Sequence, residues 1–142
     1  MIYVDTSALA KLALPERESS EVAALLEGQQ LFSSALIDIE LSKVWQRSGL
    51  TGTDYRTFTE GVSKVGINDE IIRRACSLTG VRSLDAIHLA SACLLRDAGL
   101  ALAFFTYDKQ LHAAARSQGF TVLPSASDGR RGFSRPSSPP QA

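Results

Sequence analysis

Four carboxylates stand far apart along this chain, each in a setting that aims it at a common point. Asp5 follows the apolar run Ile2-Tyr3-Val4, and Asp108 follows Phe104-Phe105-Thr106-Tyr107. Glu40 lies in Ile37-Asp38-Ile39-Glu40-Leu41, and Asp85 in Ser83-Leu84-Asp85-Ala86-Ile87-His88. Two of these acids close probable strands, and two ride on helical stretches with apolar surroundings. Acids gathered at one place repel one another and, when ionised, need a counter-charge. Oxygen ligands around a divalent cation are the usual answer. Metal-dependent chemistry on phosphate is the leading expectation.

Each acid also has a plain structural reading. Asp5 precedes Thr6-Ser7 and can serve only to cap a helix; as a ligand, it would draw on the Thr6 or Ser7 hydroxyl for support. Glu40 says more. At 100° per residue, Leu36 and Val44 lie within about 40° of it and Ile37 within about 60°, so its carboxylate emerges on the apolar stripe. Asp38 is rotated about 160° away, onto the more solvent-facing side. An unpaired carboxylate on a core face is costly, so Glu40 needs either a buried cationic partner or a metal. Asp85 sits in the first turn of a helix that is apolar nearly all round, where free N–H groups favour the ionised form. His88, one turn on, reads as a hydrogen-bonded core histidine, because hard cations prefer oxygen. Asp108 can cap the last helix, and the Thr106 hydroxyl can orient a ligand or an attacking water. Lys109 and His112 read as surface residues.

The elements that must position these groups alternate between strand and helix. Strands are expected at residues 2–4, 31–33, 65–67, 100–105 and 120–123. Helices are expected at 6–14, 16–26, 35–47, from 53 or 54 to about 63, at 69–78, 83–97 and 108–117. Repeated strand–helix units of this length imply an α/β fold with a mainly parallel sheet of about five strands, covered on both faces. Sites in such sheets open beyond the carboxyl ends of the strands, where the strand order reverses. Asp5 and Asp108 fall there.

At 142 residues, with 44% hydrophobic and 21% charged residues, the chain has single-domain length and ordinary globular composition. No apolar run approaches the ~20 residues of a membrane helix, and no secretory signal is evident, so a cytoplasmic location is expected. Cys76 and Cys93 fall in helical, largely apolar patterns and read as buried reduced thiols, which fits a reducing compartment. Net charge is zero. Residues 1–124 hold 12 Lys/Arg and 14 Asp/Glu, and residues 125–142 hold three Arg and one Asp. A nucleic-acid function must therefore rest on the site rather than on a broad basic surface. The segment 125–142, rich in Ser, Pro and Arg, has too little apolar content to offset its ordering entropy and is expected to be disordered. The globular part is thus residues 1–124.

The stretches Val4-Asp5-Thr6-Ser7-Ala8-Leu9, Glu40-Leu41, Ser83-Leu84-Asp85-Ala86-Ile87-His88-Leu89-Ala90 and Phe105-Thr106-Tyr107-Asp108-Lys109-Gln110-Leu111 resemble the PIN-domain nucleases. Short length and sparse insertions look most like the VapC-type toxins of bacterial toxin–antitoxin pairs. The resemblance covers about residues 1–124. It implies a Rossmann-like three-layer α/β/α sandwich and an endoribonuclease site of Asp5, Glu40, Asp85 and Asp108 that uses Mg²⁺ or Mn²⁺. It also implies a homodimer, or a heterotetramer or larger complex, with a small cognate VapB-type antitoxin whose C-terminal segment fills the groove. Some relatives carry a further acid shortly after the residue matching Asp108; here Lys109, Gln110 and Leu111 follow.

The chemistry so implied is hydrolysis of an RNA phosphodiester by a metal-activated water, leaving a 5′-phosphate and a 3′-hydroxyl. No protein nucleophile is required. A phosphatase of the haloacid-dehalogenase type wants a second Asp where Ser7 stands, and a phosphoacceptor receiver wants an acidic pair that Asp5-Thr6 does not supply. The non-enzymatic alternative is a catalytically silent PIN-like module that binds RNA or protein. Zero net charge favours it, and the full set of four acids opposes it.

Overall fold

The computed structural model describes residues 1–125; apart from Ser125, the segment expected to be disordered lies outside the described residues. In chain order the elements are β1 (Ile2–Val4), α1 (Thr6–Ala13), α2 (Ser19–Leu26), β2 (Leu31–Ser34), α3 (Leu36–Ser48), α4 (Arg56–Thr59), β3 (Val62–Val65), α5 (Asp69–Ser77), α6 (Ser83–Asp97), β4 (Ala103–Phe105), α7 (Lys109–Ser117) and β5 (Thr121–Leu123). The five strands form one sheet in the order β3-β2-β1-β4-β5, with every pairing parallel.

Side chains on a strand alternate between faces, and the central strand divides the core accordingly. Ile2 and Val4 pack with Leu9 of α1, Val22 and Leu26 of α2, and Ile37, Leu41 and Trp45 of α3. Tyr3 faces the other way and joins Leu89, Ala92 and Cys93 of α6, Leu111 and Ala115 of α7, and Phe104 of β4. The result is the expected three-layer α/β/α sandwich. Burying a Phe or Leu side chain contributes about 1.5–3 kcal/mol, so the fully buried Phe104, Phe105, Leu41 and Leu111 anchor both layers.

Connections from β1 run outward through α1 and α2 to β2, whereas β4 lies on the opposite side of β1 and leads away through α7 to β5. The order therefore reverses between β1 and β4, and a crevice opens past their carboxyl ends.

Several boundaries differ from expectation, each for a local reason. β3 lies at Val62–Val65 rather than 65–67, in register with all four residues of β2, and the Ala35 N–H donates to the Val65 carbonyl. That register takes up residues that helical periodicity assigned to α4, leaving α4 a single turn. β4 starts at Ala103 rather than Leu100, because the neighbouring β1 offers only three residues to pair with. α2 starts at Ser19 rather than Glu16. The intervening turn is held by Lys11, which pairs with Glu16 and Glu18, and by the Ser19 hydroxyl, which donates to the Lys11 and Leu14 carbonyls. Cys93 is buried and free, but Cys76 lies exposed on the outer side of α5, which packs against α6 through its opposite face.

Candidate active site

Asp5 is the last turn out of β1 and the N-cap of α1: its Oδ1 accepts from the Ala8 N–H at 3.1 Å. The residue is 4% exposed, and two hydroxyls hold its carboxylate. Ser7 Oγ donates to Oδ1 at 2.8 Å, and Thr106 Oγ1 donates to Oδ2 at 2.7 Å. Thr106 itself accepts from the Asp108 N–H at 3.0 Å, so the end of β4 is tied to the end of β1 through one hydroxyl. Burial pushes the Asp5 carboxyl up; the charge of His88 and the hydrogen bonds from Thr106, Ser7 and Ala8 only partly oppose it.

Glu40 comes from α3 on the other side of the opening. Thr6 Oγ1 donates to its Oε1 at 2.7 Å, and His88 Nε2 meets the same oxygen at 2.7 Å. Burial raises this carboxyl, but the hydrogen bonds from His88 and Thr6, with the charge of His88, outweigh it and leave the net shift downward. His88 is 1% exposed, and its Nδ1 meets the Tyr3 hydroxyl at 2.8 Å beneath the site. It is the hydrogen-bonded core histidine expected, and it is also the support for Glu40. Asp38 behaves as its rotation requires, pairing outward with Lys64 at 3.0 Å.

Asp85 enters from the first turn of α6 and Asp108 from the N-cap of α7, where its Oδ1 accepts from the Leu111 N–H at 2.9 Å. Between them lies a residue the sequence reading missed. Arg82 places one guanidinium nitrogen 3.1 Å from Asp108 Oδ2 and 3.5 Å from Asp85 Oδ2. Its spacing of three from Asp85 at a helix start was the available signal. Asp85 is held above the usual carboxylate range by burial first and next by the charge of Asp108, with Glu40 adding to it; Arg82 and His88 pull the other way.

Asp5, Asp108 and Asp85 are thus linked through Thr106 and Arg82, and Glu40 and Asp85 line the same open cavity of about 440 Å³ with Arg82, Ser83 and Leu84. The donor chemistry fits a hard divalent cation: carboxylate oxygens, with hydroxyls behind them, whose mutual repulsion is expressed at Asp85. Among the described residues, however, no three His, Cys, Asp or Glu side chains already stand close enough together to hold a metal. Arg82 takes up the space between two of the acids, and with its side chain 71% exposed it is free to swing outward.

Comparison with known proteins agrees with this fold. Residues 2–117 match the PIN domain family. The chain is 36% identical over 136 residues to Ribonuclease VapC47 of Mycobacterium tuberculosis (strain CDC 1551 / Oshkosh), covering 89% of this chain and 98% of that protein. It is 33% identical over 130 residues to Ribonuclease VapC35 of the same strain, covering 87% and 96%. A solved toxin-antitoxin complex from Klebsiella pneumoniae superposes with a TM-score of 0.67 at 21% identity, over 87% of this chain and 96% of that one, a likeness of fold. The chain belongs to the PIN-domain family and, within it, to the VapC-type proteins.

Proposed function

We propose that this protein is the toxin of a type II toxin–antitoxin pair, a Mg²⁺- or Mn²⁺-dependent endoribonuclease that hydrolyses RNA phosphodiesters in the cytoplasm. The observation that supports the reading is that Asp5, Asp108 and Asp85 are linked through Thr106 and Arg82 beside the reversal point of the sheet, with Glu40 and Asp85 lining one cavity. Its companion is an Asp85 whose carboxyl is raised by its acidic neighbours as well as by burial. The names of the relatives, ribonucleases and a toxin-antitoxin complex, point the same way.

In this mechanism Asp5, Glu40, Asp85 and Asp108 would hold the cation, which would supply a water of lowered pKa and offset charge on the phosphoryl oxygens. The chain's own part is placement. Ser7, Thr106 and the Ala8 N–H fix Asp5. Thr6 and His88 engage one oxygen of Glu40 and leave Oε2 without a hydrogen bond among the described residues. The α7 cap fixes Oδ1 of Asp108 and leaves Oδ2 for Arg82 or its replacement. Asp5→Asn and Asp85→Asn should each reduce metal-stimulated RNA cleavage by at least a hundredfold with the fold intact by circular dichroism. Wild-type cleavage by either would refute the assignment. A cognate VapB-type antitoxin, co-expressed, should suppress the cleavage, and the new RNA ends should be 5′-phosphate and 3′-hydroxyl.

One observation favours the second reading, a catalytically silent module for RNA or protein: Arg82 already pairs with both Asp85 and Asp108, and no ligand set is drawn together beforehand among the described residues. Calorimetric titration with Mn²⁺ separates the two. Heat that disappears in Asp108→Ala supports the nuclease, and no heat in the wild type supports the module.

A further inference from the structure

A groove of about 400 Å³ starts at Asp108 and runs along α7 toward β5. Its wall carries Lys109, His112 and Arg116, spaced three and four residues apart and so on one face of the helix. Lys109 and Arg116 are exposed, and neither is paired with a carboxylate among the described residues, whereas Lys11, Lys64 and Arg74 are all committed to acids. The floor is of another character. His112 donates Nε2–H to the Pro124 carbonyl at 3.0 Å, which fixes its ring beside Ala113 and Pro124. The groove thus joins a mostly apolar floor that includes the His112 ring to a basic rim, a combination suited to a single-stranded nucleic acid with its phosphates on the rim.

We infer that this groove is the track for single-stranded RNA leaving the acidic site, with Lys109 and Arg116 as its phosphate contacts. Lys109 and Arg116 are seven residues apart, about 10 Å along the helix. That is the length of roughly three nucleotides at ~3.4 Å each in a stacked strand. The neutral net charge of the chain then ceases to be an obstacle, because the basic residues that matter are placed at the end of the acidic site. The chain beyond Ser125 is a poor competitor for the groove, since Arg130, Arg131 and Arg135 outnumber Asp128 and repeat the charge of the rim. The inference relies on the nuclease reading only for the choice of RNA as the nucleic acid.

The test is fluorescence anisotropy of a labelled single-stranded RNA 12-mer with the full chain in EDTA, where metal-dependent cutting is suppressed, across 50–300 mM salt. Lys109→Gln/Arg116→Gln should weaken binding about tenfold and flatten the slope of log affinity against log salt by about 1.4, from two contacts at ~0.7 each. Lys43→Gln/Arg73→Gln removes the same charge from exposed positions outside the groove and should change affinity less than threefold. Equal losses in both double variants, or none in the first, would overturn the track. Unchanged RNA binding with lost suppression by the antitoxin would give the groove to that protein instead, and would equally overturn it. Cleavage is read separately: wild type that binds RNA through the groove but never cuts it with Mg²⁺ or Mn²⁺ fails the nuclease reading alone.

Discussion

Glu40 presents its two oxygens to different tasks. Oε1 takes both Thr6 and His88, while Oε2 has no hydrogen-bond partner among the described residues, and the residue lines the cavity. His88 is therefore a positioning residue, itself set from below by Tyr3. Partners that orient a ligand in this way are typically worth 10–100-fold in metal affinity or activity. His88→Leu should lose that much Mn²⁺ affinity by calorimetry, and His88→Gln, which keeps a donor toward Glu40, should recover part of it. Equal Mn²⁺ affinity in wild type and His88→Leu would deny the role. Asp85 makes the opposite case, a group whose setting works against stability. Its raised folded pKa means that the folded chain holds the proton more tightly than the unfolded one. Stability is thus withdrawn as pH rises from about 4, the unfolded value, through the folded value, and stays withdrawn at neutrality. Asp85→Asn should raise the metal-free melting temperature at pH 7.5. The gain should shrink toward pH 4. A lower melting temperature at pH 7.5 would mean that the Arg82 contact outweighs burial and repulsion.

At the scale of elements, helix caps and site residues are the same side chains. Asp5 caps α1 and Asp108 caps α7, so the capping role that would explain each acid away is real and coexists with its place in the network. The two roles of Asp108 separate by substitution. Asn remains a good cap, whereas Ala removes the oxygen that accepts from Leu111, at about 1 kcal/mol. Asp108→Ala should melt a few °C lower, and Asp108→Asn near wild type, while both lose Mn²⁺ binding; equal melting temperatures for the two would deny the cap its part. The same doubling explains what could be read in advance. The places of Asp5, Glu40, Asp85 and Asp108 in the fold were legible because strand ends, helix starts and an apolar stripe are local patterns. His88 was legible as core but not as the partner of Glu40, since the two lie 48 positions apart and meet only after α3 and α6 pack on opposite faces. β3 was misplaced because its start is set by pairing with β2, and Gly61 and Gly66 on either side give periodicity little to read.

For the whole molecule, the sheet puts its chemistry at one end. β1 and β4 are neighbours whose connections diverge, so the residues just after them, Asp5 and Thr106 to Asp108, face one crevice without any long loop to bring them there. Both hydrophobic layers are built between Ile2 and Leu123, and no described helix is long and apolar enough to cross a membrane. The chain's charge is distributed differently from its core. Residues after Ser125 carry Arg130, Arg131, Arg135 and Asp128, so their loss leaves an excess of two acids in the folded part. Fold and long-range attraction are therefore separable. A chain ending at Ser125 should melt within about 1 °C of the full chain, since it keeps every described residue of the sheet and of both core layers. It should bind single-stranded RNA several-fold more weakly at 50 mM salt, because more net negative charge now opposes the phosphates. Raising salt shortens the reach of that repulsion to about 3 Å near 1 M, so the difference should narrow steadily in the same anisotropy titration. A shortened chain that melts far lower would place part of the core beyond Leu123. One whose RNA deficit persisted at high salt would point to direct, unscreened contacts by the removed residues rather than to their charge.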